Sequence, residues 1–594
     1  MNRALWMVNR LRCMRPAELG YRLRQAGVAM LEQRGLLGAV REDVVAAPGK
    51  PAMRGLPPLD PGEAEAMVQA ADRICAGHVT LFARSVDVGA APEWNRDRGS
   101  IKHVWELNRH LHLVRLAQAA LLRQDPVYLR TLAMQLRGWL DQCPPLSGPN
   151  WTSALELGVR LINWSLVWRL ISGDASALFA GAEGQRLRAD WLHSIHAHCA
   201  FIERHLSRHS SANNHLIGEL AGLLLGATTW PCWPASQRWR ALAVTELEIE
   251  AQRQYSPDGV NREQAFSYHA FSADFLLIAG LCGPSFSPAY WQVLERAHRF
   301  LRSVRDAGGN LPSVGDADDG VAFGLAPRWL LHALAAKLPD LGEGREWAFP
   351  DGGYLLFGER FGERREILGM VDCGPLGYLG IAAHGHADAL AITLSVAGEP
   401  CLVDPGTYSY WQDQKWRDYF RGTSAHNTVR VDGVDQSVGG GRFMWTRHAA
   451  ARIDTMPQSP GQFDFRGSHD GYLRLPDPVR HVRSVRFDAA AATLVVRDEL
   501  AAAKAHKMEQ FWHFAPGLAL ALDADCLRVR GKAFEMHLQA SGSNLALELV
   551  RGCDNPPLGW YSRAYEHKEP CDVLKITTLS SGVPVECRIT IMFF

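Results

Sequence analysis

Three short polar runs interrupt apolar stretches in the second half of the chain: His384-Gly385-His386-Ala387-Asp388, Val403-Asp404-Pro405-Gly406-Thr407-Tyr408 and Ser424-Ala425-His426-Asn427-Thr428. In an extended segment residues two apart share a face, so His384 and His386 project together, with Gly385 keeping the backbone slim between them. One of the two is available to a metal. Asp404 and His426, arriving from neighbouring strands, complete a His/Asp/His set, a ligand mix typical of zinc. The plainer alternative is a group of sheet-end histidines satisfied by backbone carbonyls.

Two further clusters lie in the first half. Ser210-Ser211-Ala212-Asn213-Asn214-His215 precedes the apolar run Leu216 to Ala227, which is the signature of a helix N-terminus. Free backbone N–H groups and the positive end of the helix dipole favour an anion there, and Asn214 and His215 add side-chain donors; plain capping is the competing account. Glu219 lies one turn beyond His215 and either orients the imidazole or forms an ordinary helical ion pair. Asp258 to His269 (DGVNREQAFSYH) reads as a turn feeding a helix, with Gln264 and Tyr268 one turn apart. A tyrosine hydroxyl, with a pKa near 10, is a poor base without cationic neighbours but a competent acid toward a departing alkoxide. Trp105, Arg109, Trp151 and Arg160 suit a groove for a sugar polymer, although buried tryptophan is the commoner situation.

These residues must be positioned by two different kinds of element. From Met1 to about Leu341 apolar residues recur three or four apart, as in Leu187, Trp191, Ile195, Cys199, Ile202 and Leu206, so this part is all helix. The segments Trp105 to Leu121, Ala154 to Leu170, Leu216 to Leu225 and Phe271 to Leu281 read the same way, and so many amphipathic helices form either a solenoid or a closed ring. Glycines and a proline between Leu341 and Gly353 end that pattern. The remainder of the chain alternates with period two: Leu390 to Val396, the turn AGEP and then CLVD read as a hairpin, and TLVVRDEL and CLRVRG as later strands. The expected architecture is a helical domain over residues 1–341 and an antiparallel β-sandwich over 350–594.

Composition narrows the partners. Lys+Arg and Asp+Glu both number 63 in 594 residues, so no overall basic field draws nucleic acid. The N-terminus lacks the unbroken apolar core of a secretion signal, and no stretch is apolar enough to span a bilayer. A cytoplasmic location is expected on that ground, with the periplasm as the alternative, and a homodimer is left open. The twelve cysteines form no CxxC pair and read as reduced core residues. Phosphate-loop, HExxH and Rossmann motifs are absent, and Gly374, Gly377 and Gly380 read as a loop.

Taken in order, SANNHLIGELAGLL, DGVNREQAFSYH, HGHADAL, LVDPGTYSY, FRGTSAHNTVRVDG and HDGYLRL resemble the heparinase II/III-like polysaccharide lyases, to which alginate lyases are related. The resemblance runs from about Trp105 to about Arg486. It implies an (α/α) toroid followed by an antiparallel β-sandwich, with the active site in the cleft between them. It also implies that Asn214 and His215 neutralise a uronate carboxylate, that Tyr268 and His384 are catalytic, and that His386, Asp404 and His426 hold the metal. Tyr408 matches a cleft tyrosine. Arg421 joins Trp105, Arg109, Trp151, Arg160 and Glu219 as a candidate contact to an acidic polysaccharide or oligosaccharide.

The chemistry so implied is β-elimination. The C5 proton of a uronate is barely acidic until the carboxylate charge is neutralised; His384 or deprotonated Tyr268 then removes it, and Tyr268 or Tyr408 protonates the leaving O4. The metal is expected to be structural, cross-linking strands beside His384. Two other classes stand beside this one. A glycoside hydrolase would need paired carboxylates, for which Glu263 and Asp316 are the available acids. A non-catalytic binder serving bacterial exopolysaccharide production would keep the motifs without turnover.

Overall fold

A computed structural model of the chain describes residues 3–38, 42, 44, 59–283, 285–325, 335, 337, 338, 344–580 and 582–594. Helices occupy the first half: α1 (Arg3–Arg12), α2 (Pro16–Gln33), α3 (Pro61–Cys75), α4 (Ile101–Asn108), α5 (Leu111–Arg123), α6 (Pro126–Gln142), α7 (Ala154–Leu170), α8 (Gly181–Arg204), α9 (Asn214–Thr229), α10 (Pro234–Gln254), α11 (Phe266–Cys282) and α12 (Pro288–Ser303). Local chemistry sets many of their starts. Proline stands in the first turn of α2, α3, α6, α10 and α12, and Asp60, Asp125 and Ser287 cap α3, α6 and α12 through their side chains. The single helix expected from Trp105 to Leu121 is two, because His110 adopts a left-handed backbone (φ 61°) between α4 and α5.

The toroid core is held by close approach of α7 and α9. A Cβ on Gly222 would collide with the backbone of Gly158, and one on Gly158 would stand 2.6 Å from the Gly218 carbonyl oxygen. The four-residue spacing of Gly218, Gly222 and Gly226 lays a smooth stripe along α9, and both helices are buried nearly throughout.

The second half is antiparallel. An eight-stranded sheet runs, in spatial order, through 451–455, 462–469, 480–488, 493–501, 585–593, 534–541, 526–530 and 519–523. A four-stranded sheet (546–551, 572–580, 506–513, 429–431) and a five-stranded one (348–349, 354–359, 367–372, 392–396, 399–402) share a single core with it. The expected hairpin is strands Ile392–Val396 and Glu399–Leu402, and one more helix, α13 (Gln414–Phe420), comes after it. The first half is not all helix as expected, since strands His78–Leu81 and Arg84–Asp87 pair as a short hairpin between α3 and α4; the strands of the second half begin at Ala348, just ahead of the expected start at 350, and the expected limits 1 and 341 of the helical domain lie outside the described residues. This is a toroid followed by a β-sandwich.

A separate apolar cluster joins the halves: Val260, Phe266, Phe300, Val304 and Val314 pack against Phe349, Tyr354, Leu356, Leu368 and Met370. Residues 314–325 run along this seam. Val314 accepts from the Phe266 N–H, Asp316 donates its N–H to the His384 carbonyl, and Ala317 donates to Thr407 Oγ1. The first turn of α11 and the loop carrying His384 are thereby fixed to one another. Among the described residues no helix is long and apolar enough to cross a membrane, and all twelve cysteines are free thiols.

Candidate active site and metal-binding triad

Helix α11 brings Tyr268 to the seam, and its ring stacks on the imidazole of His384 (centroids 3.9 Å apart, planes at 24°). The two groups expected to carry chemistry therefore meet face to face, one from each half. Each is held by an aspartate of the seam segment. Tyr268 Oη donates to Asp318 Oδ2 at 2.7 Å and lies 3.1 Å from Tyr410 Oη. His384 Nδ1 lies 3.1 Å from Asp316 Oδ2.

The electrostatics give the two aspartates fixed charge. Burial opposes ionisation of Asp318, but Lys102 and Arg109 outweigh it and hold the carboxyl at about 2; Lys102 Nζ donates to it at 2.5 Å. Asp316 is fully buried, yet Arg417, bidentate at 2.5 and 2.7 Å, and the two histidines hold it well below the usual carboxylate range. Burial and then the charges of Asp318 and Asp316 push the Tyr268 hydroxyl well above its ordinary value, so it is a phenol at neutral pH.

Asp316 also reaches the second histidine. Its Oδ1 lies 3.1 Å from His386 Nε2, so one carboxylate orients both imidazoles of the HGH run. This segment is a turn rather than a strand, and Gly385 is required in it, since a Cβ there would strike the Leu376 carbonyl oxygen. With Nε2 turned to Asp316, His386 presents Nδ1, which is buried and without a hydrogen-bond partner, as is Nε2 of His426. His426 Nδ1 lies 3.0 Å from Asp404 Oδ2. Ligand atoms of His386, Asp404 and His426 all lie within 4.8 Å of one another. Two orphaned imidazole nitrogens beside a carboxylate fit a divalent cation, with Asp316 as the outer partner that sets one tautomer.

Helix α9 starts where the sequence indicates: Asn213 caps it by accepting from the His215 N–H at 3.2 Å. The group that meets its N-terminus is an internal carboxyl. Glu263 accepts from the Asn214 N–H (3.0 Å) and from Asn214 Nδ2 (2.9 and 3.2 Å), and its Oε2 stands 3.7 Å from His384 Nε2. Burial raises the Glu263 carboxyl, opposed by His384 and Asn214. The Asn214 amide is thus engaged by Glu263 rather than free, because the Asn261 side chain accepts the Glu263 N–H and turns that carboxylate under α9. His215 is half-buried, and burial together with the neighbouring His384 lowers it to about 4, so it is a neutral donor or acceptor.

Other expected contacts are placed differently. The ring that meets Tyr268 is Tyr410, not Tyr408; half-buried Tyr408 turns away, its ring against Trp416 and Phe420 and its hydroxyl donating to Gln412 Oε1 at 2.6 Å, because a left-handed backbone at Tyr408 (φ 62°) reverses the alternation of side chains. Arg160 lies in the toroid core, donating to the Asn108 carbonyl and His198 with its guanidinium over the Trp139 ring, and burial lowers it to about 10. Trp151 is buried too, donating to the Cys143 carbonyl, and half-buried Trp105 donates to that of Pro149. Arg109 spends its guanidinium on Glu106 and Glu156 and acts on the site through its charge on Asp318. Glu219 does not orient His215: its carboxylate is turned to Ser207 and accepts from the N–H and hydroxyl of that residue. Arg421 alone of this group lines an open groove.

Lys102, Asp318, Tyr410 and Arg417 were not legible as site residues. The run Gly315-Asp-Ala-Asp-Asp-Gly320 and the second tyrosine of TYSY are the signals from which Asp318 and Tyr410 could have been found; Lys102 and Arg417 carry none.

Comparison with known proteins agrees with this layout. Residues 77–319 match the family Heparinase II/III N-terminus, and residues 342–589 match Heparinase II/III-like, C-terminal. No curated protein matches the chain in sequence. Among solved structures, a crystal structure of heparinase III superposes with a TM-score of 0.75 at 15% identity, covering 92% of this chain and 88% of that one. A second heparinase III gives 0.64 at 18% identity over 93% and 87%. The heparan sulfate lyase HepC of Pedobacter heparinus gives 0.58 at 17% over 91% and 84%. At these identities the likeness is one of fold.

Proposed function

The chain belongs to the heparinase II/III-like family, and from that premise we propose that it is a polysaccharide lyase cleaving a uronic-acid-containing polysaccharide by β-elimination, leaving a 4,5-unsaturated uronate end. The observation that carries this reading is the stacked pair of Tyr268 and His384, each tied to its own ionised aspartate. Asp316 accepts from His384 Nδ1 and so turns Nε2 toward the cleft as the basic nitrogen, the orienting role that a buried aspartate plays for a catalytic histidine elsewhere. His384 then takes the C5 proton. Tyr268, kept protonated by its surroundings, supplies its proton to the departing O4.

Neutralising the uronate carboxylate falls to the start of α9. Glu263 already occupies part of this place, and burial favours its protonated form. In its protonated form it would add an O–H donor next to Asn214 and half-buried His215, an arrangement that stabilises charge developing on a carboxylate. A hydrolytic role for Glu263 and Asp316 is disfavoured by their partners, since Asp316 is fully buried and held by Arg417 and two histidines.

His386, Asp404 and His426 would hold a divalent ion, zinc by ligand type. When bound, it supplies a fixed positive charge that cross-links three segments behind His384.

Incubation with alginate, heparan, hyaluronan and bacterial acidic exopolysaccharides tests the proposal. A lyase yields an ultraviolet-absorbing conjugated C=C on at least one of them. New reducing ends without that absorbance would replace the reading by hydrolysis, and binding with neither product would replace it by a non-catalytic role.

A further inference from the structure

Beyond the stacked pair the cleft continues into a groove of about 1020 Å³ lined by α1, by α13 with the residues flanking it, by the hairpin formed by strands Val438–Gly441 and Met444–Arg447, and by Ser211 and Ile381 from the loops before α9 and His384. Phe443 connects the two spaces, its ring 6.0 Å from that of His384, 5.0 Å from Tyr410 and 5.9 Å from Trp411. Helix α1 precedes both family matches, which begin at residue 77. The segment from α1 into α2 is nevertheless tied to both halves at this rim. Arg10 Nη2 bonds Ser210 Oγ at 2.6 Å and Glu18 at 3.1 Å, Arg22 Nη2 bonds Ser211 Oγ at 2.7 Å, and Cys13 Sγ approaches the Trp445 carbonyl at 3.9 Å.

Two features of the lining call for a ligand. Trp6 and Trp411 line the groove while 44% and 39% exposed, an unusual state for the largest apolar side chain. Two arginines stand beside them: Arg421, whose ion pair with Asp418 is long, and Arg442, which meets no carboxylate among the described residues. Arg421 is 3% exposed, lies over the Trp445 ring at 4.6 Å and donates to the Arg442 carbonyl; its carboxylate neighbour Asp418 is at 3.6 Å and faces solvent. Burial and the nearby Arg417 lower Arg421 to about 10. Arg442 lies over the Trp411 ring at 5.1 Å and donates to Gln414 Oε1 and the Trp411 carbonyl, both neutral acceptors. Asp435 also lines the groove, where it accepts from the Thr423 N–H at 3.0 Å; burial raises its carboxyl and the charges of Arg430, His426 and Arg421 oppose that. A buried guanidinium whose nearest carboxylate stands 3.6 Å away and faces solvent is incompletely compensated, and a planar fork matches carboxylate or sulfate oxygens.

We propose that this groove is a subsite for an anionic sugar of the polymer, its ring lying against Trp411 and Trp6 and its carboxylate or sulfate taken by Arg421 and Arg442. The proposal rests on the lyase reading for the polymer's course past His384, but it concerns binding and is tested as binding. Affinities of the full chain are measured for hyaluronan oligosaccharides, heparin oligosaccharides and neutral cello-oligosaccharides. Charged probes should bind at least about tenfold more tightly than the neutral one, and Trp6→Ala and Arg442→Ala should each weaken the charged probe about tenfold. Binding of hyaluronan identifies carboxylate as sufficient, and binding of heparin alone identifies sulfate. On a polymer that is cleaved, the same variants should raise KM and leave kcat within about twofold. Trp6 is largely exposed, so its variant keeps the fold even if Arg442→Ala does not. Unchanged affinity in both variants, or no binding of any charged probe by wild type, overturns the subsite even where the conjugated product forms. Groove-dependent binding without that product overturns only the lyase reading.

Discussion

At the scale of single residues, the decisive fact is which proton sits on which oxygen. Tyr268 shares its hydroxyl proton with ionised Asp318 and stacks on His384, so Tyr268→Phe removes the acid and keeps the ring. We expect kcat to fall about 10²- to 10⁴-fold with little change in polymer affinity, read by steady-state kinetics and direct binding; near wild-type turnover would reduce Tyr268 to a packing residue. Glu263 allows a sign argument. Its folded-state pKa is raised by burial, so its O–H is present below that value and lost as pH rises above the ordinary carboxylate range. If that O–H assists carboxylate neutralisation, kcat/KM of wild type declines on this rising limb, whereas Glu263→Gln, with a donor that does not titrate, is slower throughout and lacks the limb. A pH profile with the same limb in both would remove Glu263 from the mechanism.

At the scale of elements, the site depends on how closely α9 lies on α7 and on three loops meeting at one point. Gly222→Ala places a methyl group against the backbone of Gly158, where neither helix can give by a rotamer change. Overpacking of this kind costs about 1–3 kcal/mol, and it should also displace Asn214 and His215 at the head of α9. Chemical denaturation together with kcat measures both, and full stability in the variant would contradict the packing described. The metal prediction belongs here because its ligands come from three segments. Elemental analysis of protein never exposed to chelator should find close to one divalent ion per chain, with zinc expected. His386→Ala should lose the ion and lower the melting temperature, and a stoichiometry near zero in wild type sinks the idea.

For the molecule as a whole, the seam makes the two halves interdependent. Its apolar cluster joins α11 and α12 to the five-stranded sheet, and its charged residues lie beside the chemistry. Asp318 titrates at about 2 in the fold against 3.8 for an ordinary aspartate. A depressed carboxyl contributes stability that is complete above 3.8 and lost as pH falls through 2. Wild type should therefore melt higher than Asp318→Asn at pH 5, and the difference should shrink steadily between about pH 4 and pH 2. A gap independent of pH would show that the charge of Asp318 is not what the seam uses.

Short-range physics accounts for everything about this protein that could be read from its residues in order. Helical and strand periodicities separated the two halves, the Ser/Asn cluster ahead of Leu216 located the head of α9, and two-residue spacing brought His384 and His386 together, although in a turn around Gly385 rather than in a strand. The ordered motifs identified the family, and with it the His386, Asp404 and His426 set that the fold assembles. Which charges meet was settled only by packing. Lys102 finds Asp318 across 216 residues and Arg417 finds Asp316 across 101, and no local pattern records either choice. Glu263 rather than a free amide stands at the start of α9, Tyr410 rather than Tyr408 faces Tyr268, and Arg160 lies in the core. Each outcome turns on burial, since in a low-dielectric interior an ionised group is retained only where specific partners converge, and that convergence is a property of the packed chain.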